Sequence, residues 1–464
     1  MRQGGDLKML FRKRWDDLKK WKEASDNGLL VYGARQVGKT FLIREFCKQE
    51  FDRTFEFNFH SEPDALSSFL EIKNADDLIG RISLFRDGTP KAGKDVIFFD
   101  EIQEYYKVWN QKDDDYKRGH SDIITLIKTL ADQYKIRVIM SGSLLGVSMF
   151  QVKANPVGYV DEMTIYPLDF EEFLLAADVD KGIIELAKES FRNEKEVPPS
   201  IHERLLKLFR EYVVVGGMPK AVEAYFTYKD MSVVSMAQGN VLSWYRKDIL
   251  QYAPAESRLI IASLFEMLPN EISAKNKRFT KSHMQDFNFK NLDLHDRFLW
   301  LFSAGIAIPV FNVFEIAAPL KLSEDYKTVK LFSNDSGLLM SEIFDDDGRM
   351  SLITTDQNRI DLGFVYENVA ASLLLCHGFQ PRYHISKKRG EIDFVVEKNL
   401  EAFPIEIKSG RPNKDGKYEH GALDNLLNQN PNIGKAYVFG FNNVFHETER
   451  IVNMPLYMID FLTR

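Results

Sequence analysis

Residues 29–40 read Leu29-Leu30-Val31-Tyr32-Gly33-Ala34-Arg35-Gln36-Val37-Gly38-Lys39-Thr40. A short apolar run enters a loop that fully matches the pattern G-x-x-x-x-G-K-[S/T], and a helical pattern follows it. The two glycines let successive backbone N–H groups turn inward, and the dipole of the following helix adds positive potential at the same point. The segment therefore predicts a strand, a phosphate-binding loop formed by residues 33–40, and a helix.

The last two residues of this loop indicate what it binds. Lys39 is placed to bring its ammonium group to the β- and γ-phosphates of a nucleotide, and the Thr40 hydroxyl is placed to ligate Mg²⁺. We therefore expect ATP and Mg²⁺ as the cofactors of this chain.

A second motif favours hydrolysis over binding alone. Four apolar residues are followed by two acids in the run Val96-Ile97-Phe98-Phe99-Asp100-Glu101. A fully apolar strand is typical of a sheet covered on both faces, and ligands bind at the carboxyl ends of such strands. We expect Asp100 to hold Mg²⁺ through water and Glu101 to orient or polarise the attacking water. Binding of ATP needs only the first acid, so Glu101 indicates an ATPase.

A third apolar run, residues 137–140, ends in small polar residues. Its carboxyl end is predicted to lie at the same edge of the sheet. Ser141 or Ser143 is then placed to hydrogen-bond the γ-phosphate or the attacking water, and a simple turn residue is the alternative. The candidate catalytic residues are Lys39, Asp100, Glu101 and Ser141.

Short apolar runs alternate with helical patterns in the first part of the chain. An amphipathic helix in the first 25 residues precedes the runs at residues 29–32, 54–59, 95–99, 137–140 and 163–166. This alternation predicts a doubly wound, mostly parallel α/β sheet over residues 1–175. Residues 176–250 are predicted to be a helical extension.

The pattern changes between residues 251 and 345. Three helical stretches precede two strand-like runs, which is the outline of a winged helix; the stretches are 259–268, 281–287, 292–302, 306–314 and 328–332. Residues 275–290 carry five basic residues against one acid, which is either a solvated face or a face that contacts the phosphates of DNA or RNA.

From residue 346 another α/β unit is predicted. A helix over residues 362–375 precedes strands over 392–396, 403–407, 435–439 and 456–459.

The composition sets outer limits on function. Of the 464 residues 44% are hydrophobic, which is enough for several packed cores. With 61 basic and 68 acidic residues the net charge is -7, which excludes a globally basic nucleic-acid coat. Cys47 and Cys376 are the two cysteines and lie far apart, so a disulfide scaffold and a Cys-rich zinc site are both excluded.

One apolar stretch, residues 298–314, has almost the length of a membrane span. Its 17 residues include Ser303, Gly305 and Pro309 and barely reach across a hydrocarbon core of about 30 Å. A helix end, a turn and a buried strand explain it better, and the first residues have no signal-peptide pattern. We therefore expect a cytoplasmic protein that needs no membrane, either as a monomer or as a homo-oligomer.

Several patches together resemble a large prokaryotic family in which an AAA-type ATPase domain precedes a C-terminal domain of unassigned function. Besides the loop and the two acids, these patches are residues 166–173, 216–219, 335–339 and 404–409. The likeness spans nearly the whole chain. It implies an AAA-type core over 1–175, the helical extension over 176–250, a winged-helix-like domain over 251–345 and a restriction-endonuclease-like α/β domain over 346–464.

One position departs from the family pattern. Many relatives carry a Gly-Arg pair after the strand that is predicted here at residues 137–140, whereas this chain has Gly158 and Tyr159. If that arginine meets the nucleotide in the relatives, another residue must supply the charge here, and Arg246 is our candidate.

A second candidate site lies near the carboxyl end. Asp393 is on one predicted strand, and Glu406 and Lys408 alternate along the next, so that they share one face. Hairpin pairing would bring Asp393 beside them, and Glu367 would approach from the preceding helix. Carboxylates with a lysine are suited to hold one or two Mg²⁺ ions and to activate water for phosphodiester cleavage.

This set is similar to the D-(x)n-E-x-K arrangement of restriction-type nucleases, although Ile392 stands where many of them have proline. The structural alternative is a strand with a cross-strand ion pair. The basic loop 387–389 either steers a phosphate backbone or is solvated.

Two functional hypotheses follow. The first is an ATP-hydrolysing AAA-type protein whose nucleotide state controls a carboxyl half that contacts DNA or RNA through residues 275–290 and the C-terminal domain. The alternative is a non-enzymatic or slow ATP-dependent switch whose C-terminal domain binds a partner without cleaving nucleic acid. A small-molecule kinase also fits the loop, but Asp100, Glu101 and the long carboxyl half argue against it.

Overall fold

The computed structural model describes residues 10–143, 158–274, 278–279, 295–354, 361–386, 390–410, 412–414 and 416–464. The chain divides into two compact units. The N-terminal unit contains residues 12–166 together with 303–305. The C-terminal unit contains residues 167–302 and 306–464, and residues 10–11 also belong to it.

The N-terminal unit is built on five parallel strands. They are β1 (Gly28–Gly33), β2 (Arg53–Asn58), β3 (Asp95–Asp100), β4 (Arg137–Ser143) and β5 (Val160–Ile165). Their order across the sheet is β2-β3-β4-β1-β5. The predicted parallel α/β sheet is confirmed, and β4 lies between the strand that enters the phosphate loop and the strand that ends in Asp100.

Seven helices accompany this sheet in the described residues. They are α1 (Arg14–Ala24), α2 (Lys39–Glu50), α3 (Pro63–Leu70), α4 (Ala75–Phe85), α5 (Ile102–Trp109), α6 (Asp114–Gly119) and α7 (Ile123–Asp132).

The core of this unit is rich in aromatic rings. All six residues of β3 are buried, as expected for a strand covered on both faces. The Phe59 and Phe99 rings stack with centroids 5.5 Å apart, and the Phe57 and Phe69 rings meet edge to face at 4.9 Å. These contacts fix the strand ends that carry the polar residues of the site.

The C-terminal unit begins with helices. They are α8 (Phe170–Ala176), α9 (Lys181–Arg192), α10 (Pro199–Val215), α11 (Pro219–Tyr228), α12 (Met231–Tyr252), α13 (Arg258–Ser273), α14 (His295–Ser303), α15 (Ser336–Ile343), α16 (Asp346–Thr354), α17 (Gly363–Cys376) and α18 (Gly421–Gln429).

A mixed nine-stranded sheet runs through the rest of this unit. Its strands are β6 (Arg278–Phe279), β7 (Ala307–Val313), β8 (Glu324–Ser333), β9 (Arg382–Ser386), β10 (Gly390–Lys398), β11 (Glu401–Ile407), β12 (Ala436–Gly440), β13 (Phe445–His446) and β14 (Ile451–Pro455). Their order is β13-β14-β12-β11-β10-β9-β7-β8-β6.

The two strand-like runs predicted at residues 306–314 and 328–332 form β7 and β8, which pair antiparallel. Strand β7 also pairs parallel with β9, so that one sheet runs from the middle region into the region assigned to the C-terminal domain. The middle helix expected at 281–287 lies outside the described residues.

The prediction of a last strand at residues 456–459 is wrong. The final strand of the chain is β14, and residues Leu456–Phe461 form a 3-10 helix in which every side chain is buried. In a short, fully buried apolar run no alternation of apolar and polar residues distinguishes a strand from a helical turn.

The stretch 298–314 forms α14 and β7, and in the described residues no helix has the length and apolarity that a membrane crossing requires.

Three of the family-like patches meet in one buried junction of the C-terminal unit. The Leu168 N–H donates to the Gly217 carbonyl at 2.7 Å, and the Gly217 N–H donates to Asp335 Oδ2 at 2.6 Å. Asp335 also caps α15 by accepting from the Leu338 N–H at 2.9 Å. A Cβ atom on Gly217 would lie 2.1 Å from the Leu168 carbonyl oxygen, so the junction requires glycine there.

We expect Gly217→Ala to destabilise the C-terminal unit by about 2 kcal/mol or more, because the added methyl group meets a backbone atom that cannot rotate away. Gly239→Ala is the matched control: Gly239 lies in α12 with open space around its Cα, and the change should stabilise by about 0.5–1 kcal/mol. Urea unfolding followed by circular dichroism measures both. An unchanged midpoint for Gly217→Ala would contradict the close packing.

Candidate functional site

The predicted phosphate loop lies between β1 and α2. Gly38 has a φ of 91°, a left-handed conformation that favours glycine, and α2 begins at the next residue. The Lys39 side chain is buried, and its Nζ donates to the carbonyl oxygens of Gly33 at 3.0 Å and Ala34 at 2.8 Å. The loop therefore holds its own ammonium group at its centre.

An arginine that the motif does not contain braces the loop. Arg12 is 8% exposed, and its Nη1 donates to the Val37 carbonyl at 2.7 Å. Its Nη2 donates to the Tyr166 carbonyl at 2.7 Å, just beyond the end of β5. The loop is thus tied to a neighbouring strand by a fixed, forked contact.

Side chains from α2 and from the two strands beside β3 converge on the Asp100 carboxylate. Thr40 Oγ1 lies 3.1 Å from both carboxylate oxygens, and Asn58 Nδ2 donates to Oδ2 at 2.9 Å. The Ser141 hydroxyl donates to Oδ1. The sheet order explains this meeting, because β4 places Ser141 between the phosphate loop and Asp100.

Asp100 is 3% exposed, and this burial raises the pKa of its carboxyl group. The charge of Glu101 acts in the same direction, whereas the hydrogen bonds from Ser141 and Thr40 oppose it. A cation beside the carboxylate would lower that pKa again. The hard oxygen atoms of Thr40 and Asp100 are the donors that Mg²⁺ prefers, so the residues present fit this ion.

Glu101 occupies the turn between β3 and α5. Its φ of 54° and ψ of 44° are left-handed, which is uncommon for a residue with a side chain. The Gln103 amide donates to the Glu101 carboxylate. Local conformation and this contact thus hold the second acid beside the first.

The remaining serine, Ser143, is 4% exposed, and its Oγ has no hydrogen-bond partner within the described residues. Ser141, by contrast, contacts Asp100 directly.

The second predicted cluster also comes together, within the C-terminal unit. Strands β10 and β11 pair antiparallel, with Phe394 opposite Ile405, so Asp393 and Glu406 lie on the same face. The Ile407 N–H donates to Asp393 Oδ2 at 2.9 Å, and Lys408 Nζ donates to Glu406 Oε2 at 2.9 Å.

The Glu406 carboxylate is buried, and its Oε1 has no hydrogen-bond partner among the described residues. Burial, followed by the charge of Asp393, raises the pKa of the Glu406 carboxyl group to about 8, although Lys408 acts against the shift. Burial also acts to lower the pKa of the Lys408 ammonium group, but the Glu406 carboxylate outweighs it and the pKa lies above its ordinary value.

A lysine from another strand reaches the same cluster. Lys330 on β8 is fully buried, and its Nζ lies 2.5 Å from Glu391 Oε1 and 3.9 Å from Glu367 Oε2. Burial acts to lower the pKa of Lys330, but Glu367, Glu391 and Asp393 raise it above its ordinary value.

A third group of ligand-type side chains lies elsewhere in the C-terminal unit. One atom from each of Asp169, His377 and Asp460 falls within 4.8 Å of the other two. Hydrogen bonds within the unit give both carboxylates a structural role. Asp169 caps α8, and Asp460 accepts from His377 at 2.8 Å and from the Glu171 N–H at 2.9 Å.

Two further predictions concern basic residues. The stretch 275–290 lies outside the described residues apart from 278–279, and so does the loop 387–389. Arg246 on α12 contacts Glu266 at 2.7 Å and Glu342 at 3.3 Å, so its guanidinium group is engaged by two acids of its own unit.

Sequence reasoning missed Arg12, Asn58, Gln103 and Lys330. Asn58 had a signal, since it is a polar residue near the end of an apolar run and pairs in register with Asp100. No local sequence pattern indicated the roles of Arg12 and Lys330, because their partners lie far away in the sequence.

Comparisons with known proteins agree with the geometry of the N-terminal unit. Residues 25–174 match the family model of an AAA domain, while residues 206–346 and 362–458 match two domains of unknown function, DUF8612 and DUF4143. An uncharacterized protein of Haemophilus influenzae is 22% identical over 450 residues, which are 93% of each chain.

Two solved structures are similar at low identity. A Walker-type ATPase of Pyrococcus abyssi has a TM-score of 0.41 and 14% identity, covering 72% of this chain and 95% of that chain. The ORC2 protein of Aeropyrum pernix has a TM-score of 0.37 and 12% identity, covering 74% of this chain and 93% of that chain.

The family match, the parallel sheet and the complete phosphate loop define the class of the N-terminal unit. The N-terminal unit contains an AAA-type P-loop ATPase-like domain, and its fold and phosphate loop support nucleotide binding.

Proposed function

We propose that this chain is a cytoplasmic, ATP-hydrolysing AAA-type protein whose nucleotide state controls a nucleic-acid-associated C-terminal half. The observation that carries the ATPase proposal is the convergence of Thr40, Asn58 and Ser141 on Asp100, with Glu101 held beside it. A site that only bound ATP would not need the second acid.

Each residue of the N-terminal site has a separate role in binding the nucleotide and its metal ion. The Lys39 ammonium group exchanges the Gly33 and Ala34 carbonyls for phosphate oxygens when nucleotide enters the loop. Thr40 and Asp100 would hold Mg²⁺, which neutralises charge on the phosphates. Ser141 and Asn58 keep the Asp100 carboxylate in place by hydrogen bonds.

Glu101 performs the acid–base step. Its carboxylate orients a water molecule toward the γ-phosphate and accepts a proton from that water as the new P–O bond forms and the bond to ADP breaks. Gln103 fixes the orientation of the Glu101 carboxylate through its amide N–H.

For the C-terminal half we propose a winged-helix-like middle and a restriction-endonuclease-like end. Glu367, Asp393 and Glu406 would hold a divalent cation, which supplies positive charge at a phosphodiester, and the unpartnered Oε1 of buried Glu406 supports this role. Lys408 would stabilise the developing charge on the phosphate. The hydrogen bond from Lys408 to Glu406 keeps the ammonium group at that position.

A slow ATP switch that binds a partner without cutting nucleic acid is the rival. The experiment that separates the two measures ATP turnover by the purified chain alone, with DNA and with RNA. Turnover that rises with one nucleic acid supports the proposal, whereas turnover that is absent in all three conditions supports the switch.

Replacement of Glu101 by glutamine should lower ATP turnover by about 100-fold or more while leaving ATP binding intact, because the amide cannot accept the proton. Phosphate release measures turnover and a fluorescent ATP analogue measures binding. Glu104→Gln, one turn along α5, is the control and should retain activity. Full turnover by Glu101→Gln would remove Glu101 from the catalytic role.

A further inference from the structure

The backbone of the phosphate loop has an uncommon conformation on both sides of Val37. Gly38 has a φ of 91°, and Gln36, which carries a side chain, has a φ of 61°. A left-handed conformation is disfavoured for a residue with a side chain, and it persists where surrounding contacts enforce it. The contacts around Val37 therefore determine the shape of this part of the loop.

Arg12 supplies such a contact from outside the motif. Its buried guanidinium group donates to the Val37 carbonyl and to the Tyr166 carbonyl, each at 2.7 Å. The first residue of the loop, Gly33, pairs with Ile165, the residue before Tyr166. Consecutive residues at the end of β5 thus anchor the first glycine of the loop by strand pairing and the turn near its last glycine through the guanidinium group.

The contact with Arg12 sets the direction of one backbone N–H group. The carbonyl and the N–H of a trans peptide lie in one plane and point in opposite directions. Because the Val37 carbonyl faces Arg12, the Gly38 N–H faces away from Arg12. The motif presents N–H groups of this part of the loop to phosphate oxygens. Rotation of the peptide would turn a carbonyl oxygen toward the phosphates, which repels them.

We propose that Arg12 is a positioning residue for polyphosphate binding: it holds the peptide between Val37 and Gly38 so that the Gly38 N–H donates to the phosphates of the nucleotide. Arg12 acts through the loop backbone and on the phosphate groups, whatever base they carry. The inference rests on the proposed binding of ATP by this loop and adds a residue that the motif does not contain.

Binding of ADP and of pyrophosphate to the full-length chain, measured by calorimetric titration, tests this inference. ADP carries no γ-phosphate for the site to hydrolyse, and pyrophosphate presents two linked phosphates without a base. We expect Arg12→Ala to weaken the binding of both ligands by the same factor, about 10- to 100-fold, because two hydrogen bonds that fix the loop are lost. Guanidinium at low millimolar concentration should restore most of this affinity.

Arg12→Lys is the conservative variant. It keeps the positive charge, but an ammonium group lacks the planar fork that reaches both carbonyls. The affinity for both ligands should therefore fall by about 3- to 10-fold. If Arg12→Ala does not fold, Arg12→Lys decides, and full affinity of this variant overturns the inference.

Arg450→Ala is the matched control, because Arg450 also donates to backbone carbonyls, but within the C-terminal unit. Its partners are the carbonyls of Leu427, Asn430 and Ile433. This change should lower the melting temperature without altering the affinity for ADP. A lower melting temperature of Arg12→Ala with unchanged affinity would leave Arg12 a structural role alone and overturn the inference.

The outcomes separate this inference from the proposed ATPase activity. Weaker binding of both ligands by the Arg12 variants supports the role of Arg12 even if the unchanged chain does not hydrolyse ATP. Weaker binding of ADP with unchanged binding of pyrophosphate overturns the inference, because Arg12 then acts on the nucleoside. Failure of the unchanged chain to bind either ligand overturns both the inference and the proposed function.

Discussion

Replacement of Lys39 by alanine should abolish both the binding and the hydrolysis of ATP. The ammonium group sits inside the loop, 3.0 Å and 2.8 Å from two loop carbonyls, and it is the positive side chain of the motif that reaches the β- and γ-phosphates. Alanine removes that charge and leaves both carbonyl oxygens facing the phosphates. Calorimetric titration with ATP and a phosphate-release assay measure the two losses.

Lys48→Ala provides the control for this change. Lys48 is an exposed lysine in the last turn of the same helix, α2, so its removal changes the net charge equally without touching the loop. The control should bind and hydrolyse ATP like the unchanged chain. Full turnover by Lys39→Ala would contradict the assignment of the loop.

The N-terminal site was predictable because its signals are local. A glycine-bounded loop after an apolar run and two acids after another run each reveal a strand end. The rule that ligands bind at the carboxyl edge of a parallel sheet then brings Lys39, Asp100 and Ser141 together without knowledge of the strand order. The structure adds the order, and with it the reason that Ser141 contacts Asp100.

The residues that escaped prediction depend on contacts over long sequence distances. Arg12 is 25 residues from Val37 and 154 from Tyr166, and Lys330 meets Glu391 across two intervening strands. Period and propensity describe a residue and its near neighbours, so they do not encode such pairs. The 3-10 helix at residues 456–461 was not predicted for a different reason. All of its side chains are buried, so the sequence lacks the alternation of apolar and polar residues from which a helix or a strand is assigned.

Asp393→Ala and Lys408→Ala should each abolish metal-dependent cutting of DNA or RNA by the C-terminal half. Asp393 shares a face with Glu406 and accepts the Ile407 N–H, while Lys408 donates to Glu406 at 2.9 Å. Loss of the carboxylate removes a ligand for the cation, and loss of the ammonium group removes the charge that faces the phosphate. Gel electrophoresis of labelled DNA and RNA, with Mg²⁺ or with a chelator, measures the effect.

Controls for this prediction use neighbouring residues of the same type. Lys398→Ala at the end of β10 and Asp424→Ala on α18 should leave cutting unchanged, since Lys398 contacts the Thr463 carbonyl and Asp424 is exposed. All four variants should hydrolyse ATP, because the N-terminal site is untouched.

Binding of nucleic acid should weaken steeply between about 50 and 200 mM salt, since phosphate contacts release counterions. Cutting that survives both Asp393→Ala and Lys408→Ala, or a flat salt response, would place any nuclease function elsewhere than in this cluster.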